Sequence, residues 1–422
     1  MHHFKQVRII MLIFILSAVI FCSGCEKQNV GIQCKDRLGC IELTQGEPIK
    51  IGVLQALSGK VATLGREQIR GLELALDDRH GKILGRPVSL QIEDTGCSAE
   101  GGANAVLKII ADPQHIAIFG TTCSGAAATA SKAMSQAGLV MVSGNNSAPF
   151  LTSIAGKPAP DRHEGYFRAS ANEENAGKAA AIYAYNLGIR RAATINDGDI
   201  YTRGLTEGFN EAFESMGGEI VLNTSVSKGD DEMEPVMTAV LDACAQLLFF
   251  PLFQPEGNHI LLQARKMPGF EKIVLMSDGA LIDASFLQAV GDKAEGMYFV
   301  GPATPRGNRV AGLEEKYIAK YGTSPSASYY LNGYDAAWLL FSAIENASVK
   351  DDHGSLIVGR QALRDAMYSM KGVTGVTGML TCDRFGDCAL PVFNVLQLEE
   401  VSAGLKGLKS NVQFTYSPEK QD

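Results

Sequence analysis

The stretch His-Ile-Ala-Ile-Phe-Gly-Thr-Thr-Cys-Ser-Gly-Ala-Ala-Ala-Thr-Ala, residues 115–130, decides the fold. Ile116 to Phe119 is an apolar run of strand length, Gly120 to Thr122 is a turn, and the small residues from Ser124 onward read as a helix. A strand feeding a helix through a polar turn leaves backbone N–H groups at the helix start without intrahelical partners. Those donors and the helix dipole favour a negative group. Ser124 adds a hydroxyl, and Gly125 and Ala126 let a ligand approach the backbone, so the turn reads as a seat for an anion, most simply a carboxylate. The plainer alternative is that Ser124 only caps its own helix.

Outward from this unit the same alternation continues. Strands read at Ile49 to Leu54, Val88 to Glu93, Ile116 to Phe119 and Leu139 to Ser143, with helices at Gly65 to Arg79, Glu100 to Ala111 and Ser124 to Ala137. This β-α-β-α-β-α-β order predicts a parallel sheet with helices on both faces. Gly144 to Gly165 interrupts it with three prolines and reads as a surface loop ending in a crossover near Tyr166 to Ser170. A second alternation runs from the helix Glu173 to Leu187 through strands at Ala192 to Asn196, Glu219 to Ser225, Leu247 to Pro251 and Ile273 to Met276. Two doubly wound α/β units in tandem predict two similar lobes. The tail, Gly378 to Thr415, has hairpin character around Asp383 to Asp387.

The chain has 422 residues, 46% hydrophobic and 20% charged, enough for a sizeable core in more than one lobe. Net charge is −8 and no basic cluster occurs, which argues against a nucleic-acid partner. Lys5 and Arg8 precede an apolar run, Ile9 to Cys22, then Ser23, Gly24 and Cys25. The run is short of the roughly 20 residues needed to span a bilayer and reads as a secretory signal. Cys25 after Ser-Gly resembles a bacterial lipoprotein signal, so residues 1–24 are expected to leave and Cys25 to carry lipid. Residues 25–47 read as a polar tether. The expected location is therefore outside the cytoplasm, in the periplasm or at the cell surface, anchored to a membrane.

Of nine cysteines, Cys22 and Cys25 belong to the signal. Cys34 with Cys40, Cys97 with Cys123, and Cys382 with Cys388 are plausible disulfide pairs in an exported protein, with connectivity left open by the sequence. Cys244 is left over and expected to be a buried free thiol. No metal site is expected, because Cys and His spacings are too wide.

Ligands of open parallel sheets sit beyond the carboxyl ends of the strands. In the first unit that rule selects Leu57 to Gly59, Thr122 to Gly125 and Gly144 to Ser147; in the second, Asp197 to Tyr201, Phe253 with Gln254, and Ser277 to Gly279. The first set offers hydroxyls, amides and glycine; the second offers two aromatics and a carboxylate. Together they suit a small zwitterion. Each residue has a plainer role: Ser147 a turn cap, Tyr201 a helix start, Phe253 core, Asp278-Gly279 an ordinary turn.

The chain resembles the periplasmic leucine/isoleucine/valine-binding proteins, the type I substrate-binding proteins of branched-chain amino-acid ABC transporters. The likeness covers roughly Pro48 to Leu398. It is carried by Ile49 to Gly59, by Cys97 and Cys123, by Cys123-Ser124, by Asn196 to Gly204 and by Ala294 to Met297. It implies a periplasmic binding protein type I fold with a three-strand hinge: lobe 1 from residues 48–167 and 301–376, lobe 2 from 168–300 and 377–417. Crossings are implied near Tyr166 to Ser170, Met297 to Gly301 and Gly375 to Gly378. It implies Ser124 as the carboxylate-binding serine, Ser147 as a second hydroxyl where the family has threonine, and the Asn145 carbonyl as a holder of the ammonium. Tyr201 and Phe253 become the aromatics of the second lobe, and Asp278 the acid facing the ammonium where leucine-binding members have glutamate. Leu64 replaces a pocket tyrosine. The implied partners are an amino acid or related small amide or acid, ABC permease subunits and a membrane through the lipid anchor. A monomer without cofactor is expected.

Two rival readings stand beside the importer component. One is a ligand sensor that transports nothing, which the same binding chemistry would serve. The other is an exported hydrolase. Against it, the chain has no G-x-S-x-G, Walker A or H-E-x-x-H pattern, and His80, His115, His163, His259 and His353 are scattered.

Overall fold

Ile49, Ile51, Val53 and Leu54 are fully buried and form the Ile49–Gln55 strand near the middle of a six-stranded sheet. The computed structural model describes residues 33–303, 305–352 and 354–417. The expected signal peptide and Cys25 lie outside them. Across this first sheet the order is Lys82–Ile83, Arg86–Asp94, Ile49–Gln55, His115–Gly120, Val140–Ser143, Tyr166–Arg168. All neighbours are parallel except Lys82–Ile83. The strand succession reverses between Ile49–Gln55 and His115–Gly120, which opens a crevice at their carboxyl ends.

The second lobe repeats the plan. Its order is Glu219–Ser225, Arg191–Asn196, Leu247–Phe249, Val274–Asp278, Tyr298–Pro302, Phe393–Gln397, Val412–Tyr416. The first five are parallel, and Phe393–Gln397 runs antiparallel to both of its neighbours, Tyr298–Pro302 and Val412–Tyr416. Its reversal lies between Arg191–Asn196 and Leu247–Phe249. The chain is thus an α/β protein with two doubly wound lobes, as the alternation predicts.

Helix contacts hold each sheet's cover. Helix Ala62–Asp77 crosses helix Tyr329–Ala347 so closely that a Cβ on Gly71 would sit 2.2 Å from the Tyr330 carbonyl oxygen. In the second lobe, helices Glu174–Asn186 and Ile200–Ser215 meet in the same way at Gly177. The lobes touch: the Tyr329 hydroxyl donates to the Gly279 carbonyl at 3.0 Å, and Lys409 Nζ donates to Ser328 Oγ at 2.7 Å.

Several expectations need correction. Residues 40–47 are not tether: Cys40–Leu43 is a strand antiparallel to Leu356–Gly359, with Ile41 and Leu43 buried. The Arg86 guanidinium fixes this segment by donating to the carbonyls of Thr44 and Glu47. The second passage between lobes follows Pro302 rather than ending at Gly301, because Gly301 and Pro302 still pair with Asn394 and Phe393. The third lies beyond Cys388 rather than at Gly375 to Gly378. Met379–Leu380 pairs with Val373–Thr374, and Cys382 and Cys388 pack into the first lobe's core. Cys244 is exposed, not buried. Helix Glu234–Asp242 ends two residues before it, and a turn with φ of 53° at Cys244 swings the side chain off the face that carries Met237 and Val240 inward.

Candidate functional site

The carboxyl ends of both sheets face each other across a narrow cleft, and a cavity of about 40 Å³ lies between them. Leu64, Ser124, Asn145, Ser147, Tyr201 and Phe253, all chosen from the sequence, line it. They arrive from different elements. Leu64 comes from the first helix, Ser124 from the start of helix Ser124–Gln136, and Asn145 and Ser147 from the loop after Val140–Ser143. Tyr201 is in the first turn of its helix, and Phe253 follows Leu247–Phe249.

The donor wall belongs to the first lobe. Ser124 is buried, yet Cys123 is the residue flanking its helix, and the Ser124 side chain makes no capping bond. Its Oγ instead accepts from the Ala148 N–H at 3.3 Å, which leaves the hydroxyl hydrogen able to donate elsewhere. The plainer reading of Ser124 as a helix cap therefore does not describe this structure. The Cys97–Cys123 disulfide holds the residue before it, with sequence separation 26. Thr122 is locked by donating to Gln55 Oε1 at 2.6 Å while accepting from the Ala56 N–H at 2.8 Å. Asn145 Nδ2 donates to the Thr122 carbonyl at 3.1 Å, tying the two loops together. Gly125 does not simply open onto the cleft. Asp199 of the second lobe stands so near that a Cβ on Gly125 would lie 2.6 Å from its Oδ2. That carboxylate pairs with Lys228 at 2.9 Å and accepts from the Tyr201 N–H at 3.0 Å.

The opposite wall carries rings and acids. Tyr201 and Phe253 have ring centroids 5.1 Å apart. The Tyr201 hydroxyl donates to Asp278 Oδ2, which also accepts from the Ala280 N–H at 3.1 Å. Asp278 itself does not line the cavity; it stands behind the Tyr201 hydroxyl. Burial pushes its carboxyl up to about 6.

Glu173 does line the cavity, and sequence reasoning missed it as a site residue by reading it only as a helix start. It accepts from the Ser147 hydroxyl at 2.7 Å, so the expected second hydroxyl is engaged with a carboxylate. Burial, reinforced by the negative charge of Asp278, pushes Glu173 up to about 8. The available signal was an acid placed directly at the first passage between lobes, next to Ser170. Tyr329, the first residue of a first-lobe helix, also lines the cavity.

Cys382 and Cys388 are joined by a disulfide, and Cys34 and Cys40 are each disulfide-bonded. Among the described residues no group of three or more His, Cys, Asp or Glu side chains could hold a metal ion. No described helix is long and apolar enough to cross a membrane.

A family model described as periplasmic binding protein matches residues 48–395. Leu/Ile/Val-binding protein homolog 3 of Brucella melitensis biotype 1 is 26% identical over 355 residues, covering 83% of this chain and 92% of the relative. The Leu/Ile/Val-binding protein of Escherichia coli K12 is 25% identical over 272 residues, covering 63% of this chain and 71% of the relative. Among solved structures, a leucine-binding protein from Thermotoga maritima superposes with a TM-score of 0.74 at 22% identity, covering 88% of this chain and 99% of that one. A solute-binding protein of an ABC transporter from R. palustris, in complex with benzoate, superposes with a TM-score of 0.71 at 20% identity, covering 88% and 96%. The match over most of the chain, with the repeated doubly wound lobes, makes this protein a member of the periplasmic binding protein family.

Proposed function

We propose that this protein binds a small zwitterion, an amino acid of the branched-chain type or a related amide or acid, between its lobes and delivers it to the membrane permease of an ABC importer. The observation that carries the reading is the convergence of Leu64, Ser124, Asn145, Ser147, Tyr201 and Phe253, drawn from distant parts of the chain, on one cavity at both sheet reversals. The ligand carboxylate takes the Ser124 hydroxyl and the N–H groups at the start of helix Ser124–Gln136. Its ammonium faces the Glu173, Tyr201 and Asp278 group, and its side chain meets Leu64 and Phe253.

Hydrogen bonds to charged groups contribute about 1.5–3 kcal/mol each. A few of them with some apolar burial reach micromolar binding, about 8 kcal/mol. Binding begins in an open form; the lobes then close about the three passages and exclude water. The protein acts by binding without turnover, as a monomer held to a membrane through a lipid on Cys25.

A thermal-shift screen of the purified protein against amino acids, amides and short organic acids tests this, followed by calorimetry and product analysis. The expected result is a raised melting temperature with a branched-chain amino acid and recovery of the ligand unchanged. A shift confined to ligands without an ammonium, or hydrolysis of a candidate amide, would overturn it.

A further inference from the structure

Glu173 and Tyr201 stand at the cavity wall, and Asp278 stands behind the Tyr201 hydroxyl. Tyr201 has a single hydroxyl hydrogen, and it is given to Asp278. Glu173 lines the same small cavity as Tyr201. Glu173 Oε2 accepts from the Ser147 hydroxyl at 2.7 Å. Glu173 and Asp278 are 4% and 1% exposed, and among the described residues neither is in an ion pair.

We propose that before ligand enters, Glu173 and Asp278 hold one proton between them, and that a ligand ammonium arriving at the cavity wall sends that proton to solvent. Glu173–COOH becomes Glu173–COO⁻, the proton passes to buffer, and the ammonium supplies the positive charge that lets both carboxylates ionise. Glu173 is thereby a second acid selecting for a cationic nitrogen, alongside Asp278. The inference rests on the proposed binding of a zwitterion.

The other charged and titratable groups facing this pair are few. Arg168, on the strand Tyr166–Arg168, favours ionised Glu173, but its guanidinium is committed to Asp387 and to backbone carbonyls. Tyr329, from the first-lobe helix, faces both acids and also Asp283; burial holds its hydroxyl protonated. Burial and the two acids hold the Tyr201 hydroxyl protonated as well. Two like charges that act on each other in a desolvated site do not both ionise without a compensating cation.

Calorimetry of the purified protein with L-leucine, L-isoleucine and L-valine, in buffers of different ionisation enthalpy, reads the proton directly. At pH 7 the apparent enthalpy is expected to vary with the buffer in proportion to about one proton released per ligand. The dissociation constant is expected to fall about tenfold per pH unit between pH 6 and 7.5 and to level off above pH 8. 4-Methylpentanoate, which lacks the ammonium, should release none. Glu173→Gln should weaken leucine binding and lose the buffer dependence. If that variant does not fold, the buffer and pH series on the unaltered protein still decide. Leucine binding with an enthalpy independent of buffer at pH 7 overturns the inference and leaves the proposed function standing. Failure of every amino acid in the screen overturns the proposed function, and this inference with it.

Discussion

Arg168 and Asp387 form an ion pair, Nε to Oδ1 at 2.5 Å, that joins the first passage between the lobes to the loop closed by Cys382 and Cys388. Arg168 is fully buried, and its guanidinium also donates to the Ala148 carbonyl at 2.8 Å and to Thr152 Oγ1 at 2.5 Å. It therefore braces the segment that carries Ser147, while its backbone N–H donates to the Gly386 carbonyl at 2.9 Å. Removing one partner leaves a buried charge uncompensated, which costs about 3–5 kcal/mol. Asp387→Ala should lower the unfolding free energy in urea by that amount. A loss under about 1 kcal/mol, the range of an exposed pair, would show that the brace contributes little.

Ser124→Ala should weaken every carboxylate ligand by about tenfold or more, the worth of a hydrogen bond to a charged group. The melting temperature without ligand should hardly move, because Ser124 makes no capping bond and Cys123 takes that position. Differential scanning calorimetry and titration on the same preparation separate the two effects. A large melting shift with unchanged affinity would return Ser124 to a purely structural role.

Asp278→Asn should weaken a zwitterion by at least about tenfold, since the buried negative charge behind the Tyr201 hydroxyl that favours an ammonium is lost. The fold should persist, because an amide oxygen still accepts from Tyr201 and from the Ala280 N–H. 4-Methylpentanoate serves as the control: its affinity should stay level or improve. Equal losses for both ligands would remove the ammonium assignment.

Gly125→Val tests closure. A Cβ at Gly125 would lie 2.6 Å from Asp199 Oδ2, so a branched side chain pushes the lobes apart at the helix start. Affinity should fall for all ligands, and small-angle scattering with ligand should report a larger radius of gyration than for the unaltered protein. Unchanged affinity and an unchanged radius would mean that Asp199 yields without opening the cleft.

The pH dependence of stability without ligand follows from Glu173 and Asp278. Both carboxyls are raised in the folded state by burial, to about 8 and about 6. A raised acid binds its proton more tightly when folded, so its contribution is full below the unfolded value and is lost as pH climbs through the folded one. Between pH 5 and 8.5 these two groups should therefore lower the melting temperature. Glu173→Gln should flatten the upper part of that fall. A melting temperature rising through pH 8 in the unaltered protein, with the same slope in the variant, would contradict the burial argument.

The chain itself determined the parallel sheets, the repeat of the doubly wound unit and the residues at the strand ends, because a buried strand and an amphipathic helix each write a local period. Residues 40–43 escaped that reading: two buried positions, Ile41 and Leu43, are too few to show a period, and their partner strand is Leu356–Gly359. Cys244 escaped for the opposite reason, since a helical period extended past Asp242 puts it inward until the turn intervenes.

What tertiary structure alone decided is which of the strand-end groups meet. That Glu173 is a cavity wall as well as a helix start, that Asp278 stands behind Tyr201, and that Asp199 crosses to Gly125 all depend on how two lobes approach. Local pattern encodes which side of an element is apolar. It carries no record of how two carboxylates 105 residues apart in the chain come to be buried in one site, and that burial raises both.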